Sequence, residues 1–242
     1  MFSVLDMFTI GVGPSSSHTV GPMCAAQAFA SSLEESGAVS RVGRIRVVLY
    51  GSLSLTGLGH GTDRAILAGL EGNVPATVDT DYLLSVRERC AHDGTIHVNG
   101  TNAIAYDDDG DMVFDRWKRL APHPNGMRFQ AFDAQGNIID EQVWYSIGGG
   151  FIRRGRIDDA LISNHEQTPA SSQSPEDSGN DEAAEYGDGV PYPFVSCDGL
   201  IDLCRKHHLS IADVVWANET ARRSPQEVRD PVSYTHLRAH ET

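Results

Sequence analysis

Residues 157–189 decide how this chain can be laid out: 33 consecutive positions hold nine acidic side chains and not one lysine or arginine. Asp158, Asp159, Glu166, Glu176, Asp177, Asp181, Glu182, Glu185 and Asp188 supply nine of the fourteen net negative charges. Within the stretch, QTPASSQSPEDSGNDEAAEYGDG is almost devoid of large apolar side chains. Such a segment cannot bury enough surface to offset its ordering entropy. It reads as an acidic, disordered, self-repelling linker. The chain is therefore expected as a domain over 1–156, the linker over 157–189, and a further piece over 190–230.

The 242 residues and their 40 % apolar content are ample for a buried core. A net charge of −14 argues against nucleic acid or an anionic membrane as partner, since both require a basic face. No run of eighteen apolar residues suggests a membrane span, and the first residues lack the basic start of a secretory signal. Four cysteines at 24, 90, 197 and 204 form no CxxC pair, so no metal ligands are assigned within the chain. They read as free thiols of a cytoplasmic protein.

The periodicities point to an α+β first domain with a mostly antiparallel sheet. Pro22 suits the first turn of a helix that continues through MCAAQAFASSLEES and ends before Gly37. RIRVVLYGS is a β-branched strand. TDRAILAGLEG is a helix with Thr62 as its expected N-cap, and DYLLSVRERCAHDG is another. Asn99-Gly100 and Asp109-Gly110 mark turns, and two long strands flank Gly136-Asn137. Beyond the linker, Ser196 and Ser210 are placed to cap two short helices, the first of an all-α domain. Forty residues rarely make a self-sufficient core, so these helices lack something to pack on.

Four segments could carry chemistry. In the first, Ser15, Ser16, Ser17, His18 and Thr19 precede a helix start, where unpaired N–H groups and hydroxyls suit a carboxylate or phosphate. The same residues also fit a polar turn with a capping serine. In the second, Gly57-Leu-Gly-His60-Gly-Thr62-Asp63, glycines bring the backbone close to a ligand. The helix that follows favours the neutral imidazole a general base requires, and Asp63 could orient the ring if the turn permits. An exposed loop histidine explains this pattern equally well. The third, Pro122-His123-Pro124-Asn125-Gly126, locks a histidine and an amide between prolines or simply makes a rigid turn. The fourth places Gly148, Gly149 and Gly150 after a strand, as an anion-accepting nest or as a hinge into the linker.

Taken together, MFSVLDMFTIGVGPSSSHTVGPM, GHGTD, HPNGM and YSIGGGF are more specific than any one alone. Their order and placement resemble the iron–sulfur-dependent L-serine dehydratases (L-serine ammonia-lyases) of bacteria. The resemblance covers residues 1–156 strongly and 190–219 well, with VPYPF and the following helices similar to the opening of that family's cluster-binding domain. It implies conversion of L-serine to pyruvate and ammonia, with a [4Fe–4S] cluster as Lewis acid. It also implies His60 as the base, with Asp63 or Thr62 positioning it. Ser15, Ser16, Ser17, His18 and Thr19 would hold the substrate carboxylate, and His123, Asn125 and Gly148–Gly150 would complete the pocket. The family's cluster ligands are cysteines beyond the end of this chain, and the family commonly forms homodimers.

On this reading the chain is an N-terminal fragment, inactive by itself. Residues 231–242, PVSYTHLRAHET, lack the family's continuing helices and are read as a non-native tail. The rival reading is a stand-alone amino-acid-binding regulatory domain without catalysis.

Overall fold

The computed structural model describes residues 11–164, 189–194, 196–221 and 223–229. The centre of the expected linker, 165–188, and the tail from 231 onward lie outside the described residues. Two compact units divide the chain, one spanning Ile10–Thr168 and the other containing the C-terminal helices.

In the first unit, strand β1 (Arg44–Tyr50) sets the pattern: Ile45, Val47 and Leu49 are buried while Arg44 and Arg46 face out, as period-2 alternation requires. It lies inside a sheet of order β2-β3-β1-β6-β7-β8, built with Thr95–Val98, Asn102–Ala105, Gly126–Phe132, Ile138–Gly148 and Phe151–Arg154 as β2, β3, β6, β7 and β8. Strand β4 (Met112–Asp115) also pairs with β1. The sheet is mixed and mostly antiparallel: β1–β6, β6–β7, β7–β8 and β2–β3 are antiparallel, and β1 is parallel to β3 and β4. The fold class is α+β, as expected.

One face of the sheet is covered by helices. Helix α1 (Gly21–Glu35) has Pro22 in its first turn and buries Phe29, Ala30 and Leu33. The rings of Phe29 and Phe129 stack 5.2 Å apart between helix and sheet. Helices α2 (Gly51–Thr56), α3 (Thr62–Leu70) and α4 (Thr80–Asp93) follow β1. Gly69 on α3 lets that helix approach α1, because a Cβ there would run into the carbonyl of Met23.

Several expectations are corrected. Asp109-Gly110 is no hairpin turn but lies in a short helix, α5 (Asp108–Asp111). The buried Asp111 carboxylate accepts the Asp107 N–H at 2.9 Å and Arg44 Nε at 2.5 Å, which closes a helical turn and sends β4 parallel to β1. Helix α3 is capped by Gly61 at φ +66° rather than by Thr62. Gly148–Gly150 make neither a hinge nor an open nest. Gly148 pairs with Phe151, and Gly149 and Gly150, at φ +62° and +83°, form the tight turn of the β7–β8 hairpin. Folded chain also continues past residue 156. Strand β9 (Leu161–Ser163) pairs with β5 (Lys118–Leu120), and Tyr145 donates its hydroxyl to Asp159 at 2.5 Å.

In the second unit, α6 (Cys197–His207) and α7 (Ile211–Thr220) begin as expected, with Ser196 accepting from Gly199 N–H and Ser210 from Asp213 N–H. Asn218 exchanges two hydrogen bonds with the Tyr192 backbone, at 2.9 and 2.7 Å. Among the described residues of this unit only Val214, Asn218 and Val228 are buried.

Candidate functional site

The serine-rich segment folds as a π-helical turn, Ser16–Val20, leading directly into α1. Val20 and Gly21 donate their N–H groups five residues back, to the carbonyls of Ser15 and Ser16. Ser15 is extended and caps the turn by accepting from His18 N–H at 3.2 Å. Such turns are rare and cluster at functional sites. Here the turn places the His18 ring between two hydroxyls: Nδ1 lies 2.8 Å from Ser17 Oγ and Nε2 lies 2.9 Å from Ser52 Oγ. Ser15 and Ser17 hydroxyls are 3.4 Å apart.

The GHGTD segment is tied to this turn twice. Thr19 donates to the His60 carbonyl at 2.8 Å, and Thr62 donates to the His18 carbonyl at 2.5 Å. These crossed bonds set the two imidazoles 4.9 Å apart, tilted by 42°. His60 ends a 3₁₀ turn, Gly57–His60, and its Nδ1 meets the Thr56 carbonyl at 2.9 Å. A carbonyl can only accept, so in the neutral ring the proton sits on Nδ1 and the lone pair on Nε2. That is the form able to take a proton from a ligand.

Asp63 does not orient His60. Its carboxylate, 3 % exposed, pairs with Arg87 Nη1 at 2.5 Å. Thr62 likewise turns to His18, so the Thr56 carbonyl is what fixes the ring of His60.

The third and fourth segments join from the other side. Gly51, at φ +56°, opens α2 with its Cα against the Pro124 carbonyl, where a Cβ has no room. Ser52 N–H donates to that carbonyl at 2.9 Å. Asn125 N–H donates to His123 Nδ1 at 3.1 Å, its side-chain amide donates to Ser146 O at 3.2 Å, and its own carbonyl accepts from Ser146 N–H at 3.1 Å. The Ser146 hydroxyl is fully buried without a partner among the described residues and lies against Gly21 at the start of α1. Gly148–Gly150 follow two residues on, in the hairpin turn.

Burial first, then the neighbouring His60, lowers the pKa of His18 below its ordinary 6.5, against a raising contribution from Ser52. His123 is lowered by burial and then by Arg153. The first and second segments thus meet directly, and the third is tied to them through Ser52, which together set hydroxyls from Ser15, Ser17 and Ser52 around two imidazoles. Such a constellation can hold a small polar ligand and exchange a proton with it. Ser52, Thr56 and Ser146 are the contributors that motif reading missed. The sequence pattern carries the strand through Gly51 and Ser52, whereas the strand ends at Tyr50 and they open α2.

Among the described residues no group of three or more histidines, cysteines or carboxylates converges as a metal ion would require. Burial pushes the Cys24 thiol up and that of Cys90 up to about 11, away from the thiolate a metal needs. Cys197 and Cys204 lie on α6. The described residues therefore do not provide an iron–sulfur cluster with its ligands.

Residues 3–156 match the family described as serine dehydratase beta chain. The L-serine dehydratase of Streptomyces coelicolor is 40 % identical over 228 residues, covering 94 % of this chain and 46 % of that protein. L-serine dehydratase 1 of Escherichia coli is 39 % identical over 232 residues, covering 94 % and 45 %. The L-serine dehydratase of Mycobacterium bovis is 38 % identical over 237 residues, covering 98 % and 46 %. The chain spans about half the length of these curated relatives. It belongs to the serine dehydratase beta-chain family.

Proposed function

We propose that this chain forms the substrate-holding and proton-accepting part of an L-serine dehydratase, a lyase that converts L-serine to pyruvate and ammonia. His60 Nε2 takes the Cα proton. The electron pair left on Cα forms the Cα–Cβ double bond, the β-hydroxyl departs, and the aminoacrylate tautomerises and hydrolyses to pyruvate and ammonia. The turn of Ser15, Ser16, Ser17, His18 and Thr19 holds the carboxylate and lines the site, with His123, Asn125 and the Gly148–Gly150 turn completing the pocket. Thr62 positions the two histidine segments through the His18 carbonyl, and Asp63 anchors the start of α3 through Arg87.

The [4Fe–4S] cluster implied by the resemblance would supply Lewis-acid chemistry at the leaving hydroxyl. The resemblance assigns its ligands to cysteines of the family's cluster-binding domain. The same reading makes the complete protein a cytoplasmic homodimer.

The observation that carries this reading is the crossed pair of bonds, Thr19 to His60 and Thr62 to His18, that sets the two imidazoles side by side. It is tested in the full-length gene product by anaerobic serine-to-pyruvate turnover. Loss of a general base costs about 10²–10⁴-fold, so His60→Ala should lower kcat by that much. Turnover within threefold of the parent would remove His60 as the base. L-serine binding without turnover in the full-length protein would favour the regulatory-domain reading.

A further inference from the structure

We propose that Ser52, a residue outside all four motif segments, is a positioning residue that holds the His18 ring with both nitrogens hydrogen-bonded and thereby leaves proton transfer to His60. The inference rests on the dehydratase reading, but its first test does not. A neutral imidazole offers one N–H and one lone pair, and a hydroxyl can both donate and accept. The two hydroxyls that flank His18, Ser17 at Nδ1 and Ser52 at Nε2, therefore satisfy either tautomer. Neither nitrogen is left over for a ligand proton. His60 differs, because among the described residues only its Nδ1 is engaged and its partner is a carbonyl.

Ser52 is itself held firmly. Its N–H donates to the Pro124 carbonyl at 2.9 Å, and Gly51 before it occupies a left-handed conformation with no room for a side chain. The Ser52 carbonyl accepts from the Thr56 hydroxyl at 3.0 Å, and the Thr56 carbonyl is the one that orients His60. One short helix, α2, thus fixes both rings: its first turn supplies the hydroxyl for His18 and its last residue the carbonyl for His60. His60 is the charged or titratable group that bears on His18. With both of its nitrogens engaged, the His18 ring is fixed 4.9 Å from the His60 ring without competing for a ligand proton.

The clamp is tested first in the 242-residue chain, by ¹⁵N ring chemical shifts and pH titration of His18, with circular dichroism to report folding. Ser52→Ala should change the ring-nitrogen shifts and the titration midpoint of His18, and Ser52→Thr, which keeps the hydroxyl, should restore both. If Ser52→Ala does not fold, Ser52→Cys replaces the strong hydroxyl partner with a weak one at similar volume and is read the same way. Unchanged His18 signals in a folded variant overturn the clamp. The full-length enzyme supplies the second readout. Loss of one such hydrogen bond corresponds to about a tenfold fall in kcat with little change in KM, rescued by Ser52→Thr. A wild-type kcat with an altered His18 titration overturns the positioning role while leaving the dehydratase reading intact. Inactive His60→Ala together with normal Ser52→Ala would place all of the effect on the base.

Discussion

Replacing Arg87 by alanine removes the cation from a carboxylate that has no alternative. The Asp63 side chain is 5 % exposed in the first turn of α3, and its Oδ1 has no hydrogen-bond partner among the described residues. Arg87 reaches it with Nη1, while Nε and Nη2 hold Asp108 at 3.0 and 2.8 Å. Breaking a buried pair by deleting one partner costs about 3–5 kcal/mol. Arg87 is 28 % exposed, so water partly replaces it, and the low end, about 3 kcal/mol, is expected. Its partly exposed contact with Asp108 adds less than about 1 kcal/mol.

For a unit of this size each kcal/mol moves Tm by about 2–4 °C, giving a loss of about 6–12 °C. Urea and thermal unfolding of the whole chain, followed by far-ultraviolet circular dichroism, would measure it. In Asp63→Asn with Arg87→Ala the buried carboxylate is neutralised and only the partly exposed Asp108 loses its cation, so the double variant should recover at least half of the loss. The pH dependence has a sign. Arg87 holds the Asp108 carboxyl below its ordinary 3.8, so that share of stability is present above about pH 4 and lost as pH falls through the folded value. The gap between parent and variant should therefore narrow in acid. A loss under about 0.5 kcal/mol, or a strictly additive cycle, would refute the account of Asp63 as a carboxylate committed to Arg87.

Other consequences follow from packing and titration. His18 and His123 both have folded pKa values below 6.5. The unfolded chain therefore binds their protons first, and stability should be full above about pH 6.5 and fall below it; a flat urea midpoint from about pH 7.5 to 5.5 would contradict this. Phe129→Ala opens a hole opposite Phe29, and a loss of about 3–5 kcal/mol is expected from the same unfolding measurements. Iodoacetamide at about pH 8 should label exposed Cys197 first and buried Cys90, its thiol raised to about 11, last, as read by peptide mass spectrometry.

The elements that could be read from sequence were those with local causes. The Asn99-Gly100 hairpin forms because both residues accept positive φ, here +50° and +73°. The two C-terminal helices start at their serine caps for an equally local reason. Asp109-Gly110 looked the same on paper, yet its outcome depends on Asp111 meeting Arg44, 67 residues away, which no local pattern reports. Three glycines at 148–150 are compatible with a nest, a hinge or a hairpin, and only the pairing of β8 decides among them. At the site, motif order located the segments, but not which atom meets which. Asp63 beside His60 in sequence turns to α4, and Ser52, with no motif of its own, reaches His18.

The π-helical turn before α1 also acts as a phase adjuster. An α-helix advances about 100° per residue, so one extra residue in a turn offsets everything before it by about that angle. Helix α1 keeps Phe29 and Leu33 against the sheet on its own 3.6-residue rhythm, while Ser17 and His18 obey a different one. Removing a single residue between Ser16 and Val20 would leave the composition and the apolar stripe nearly intact, yet swing the imidazole about a quarter-turn off Ser52. In this part of the chain residue count matters as much as residue identity, and a one-residue gap here is a sharper sign of lost function than a conservative substitution at any of the serines.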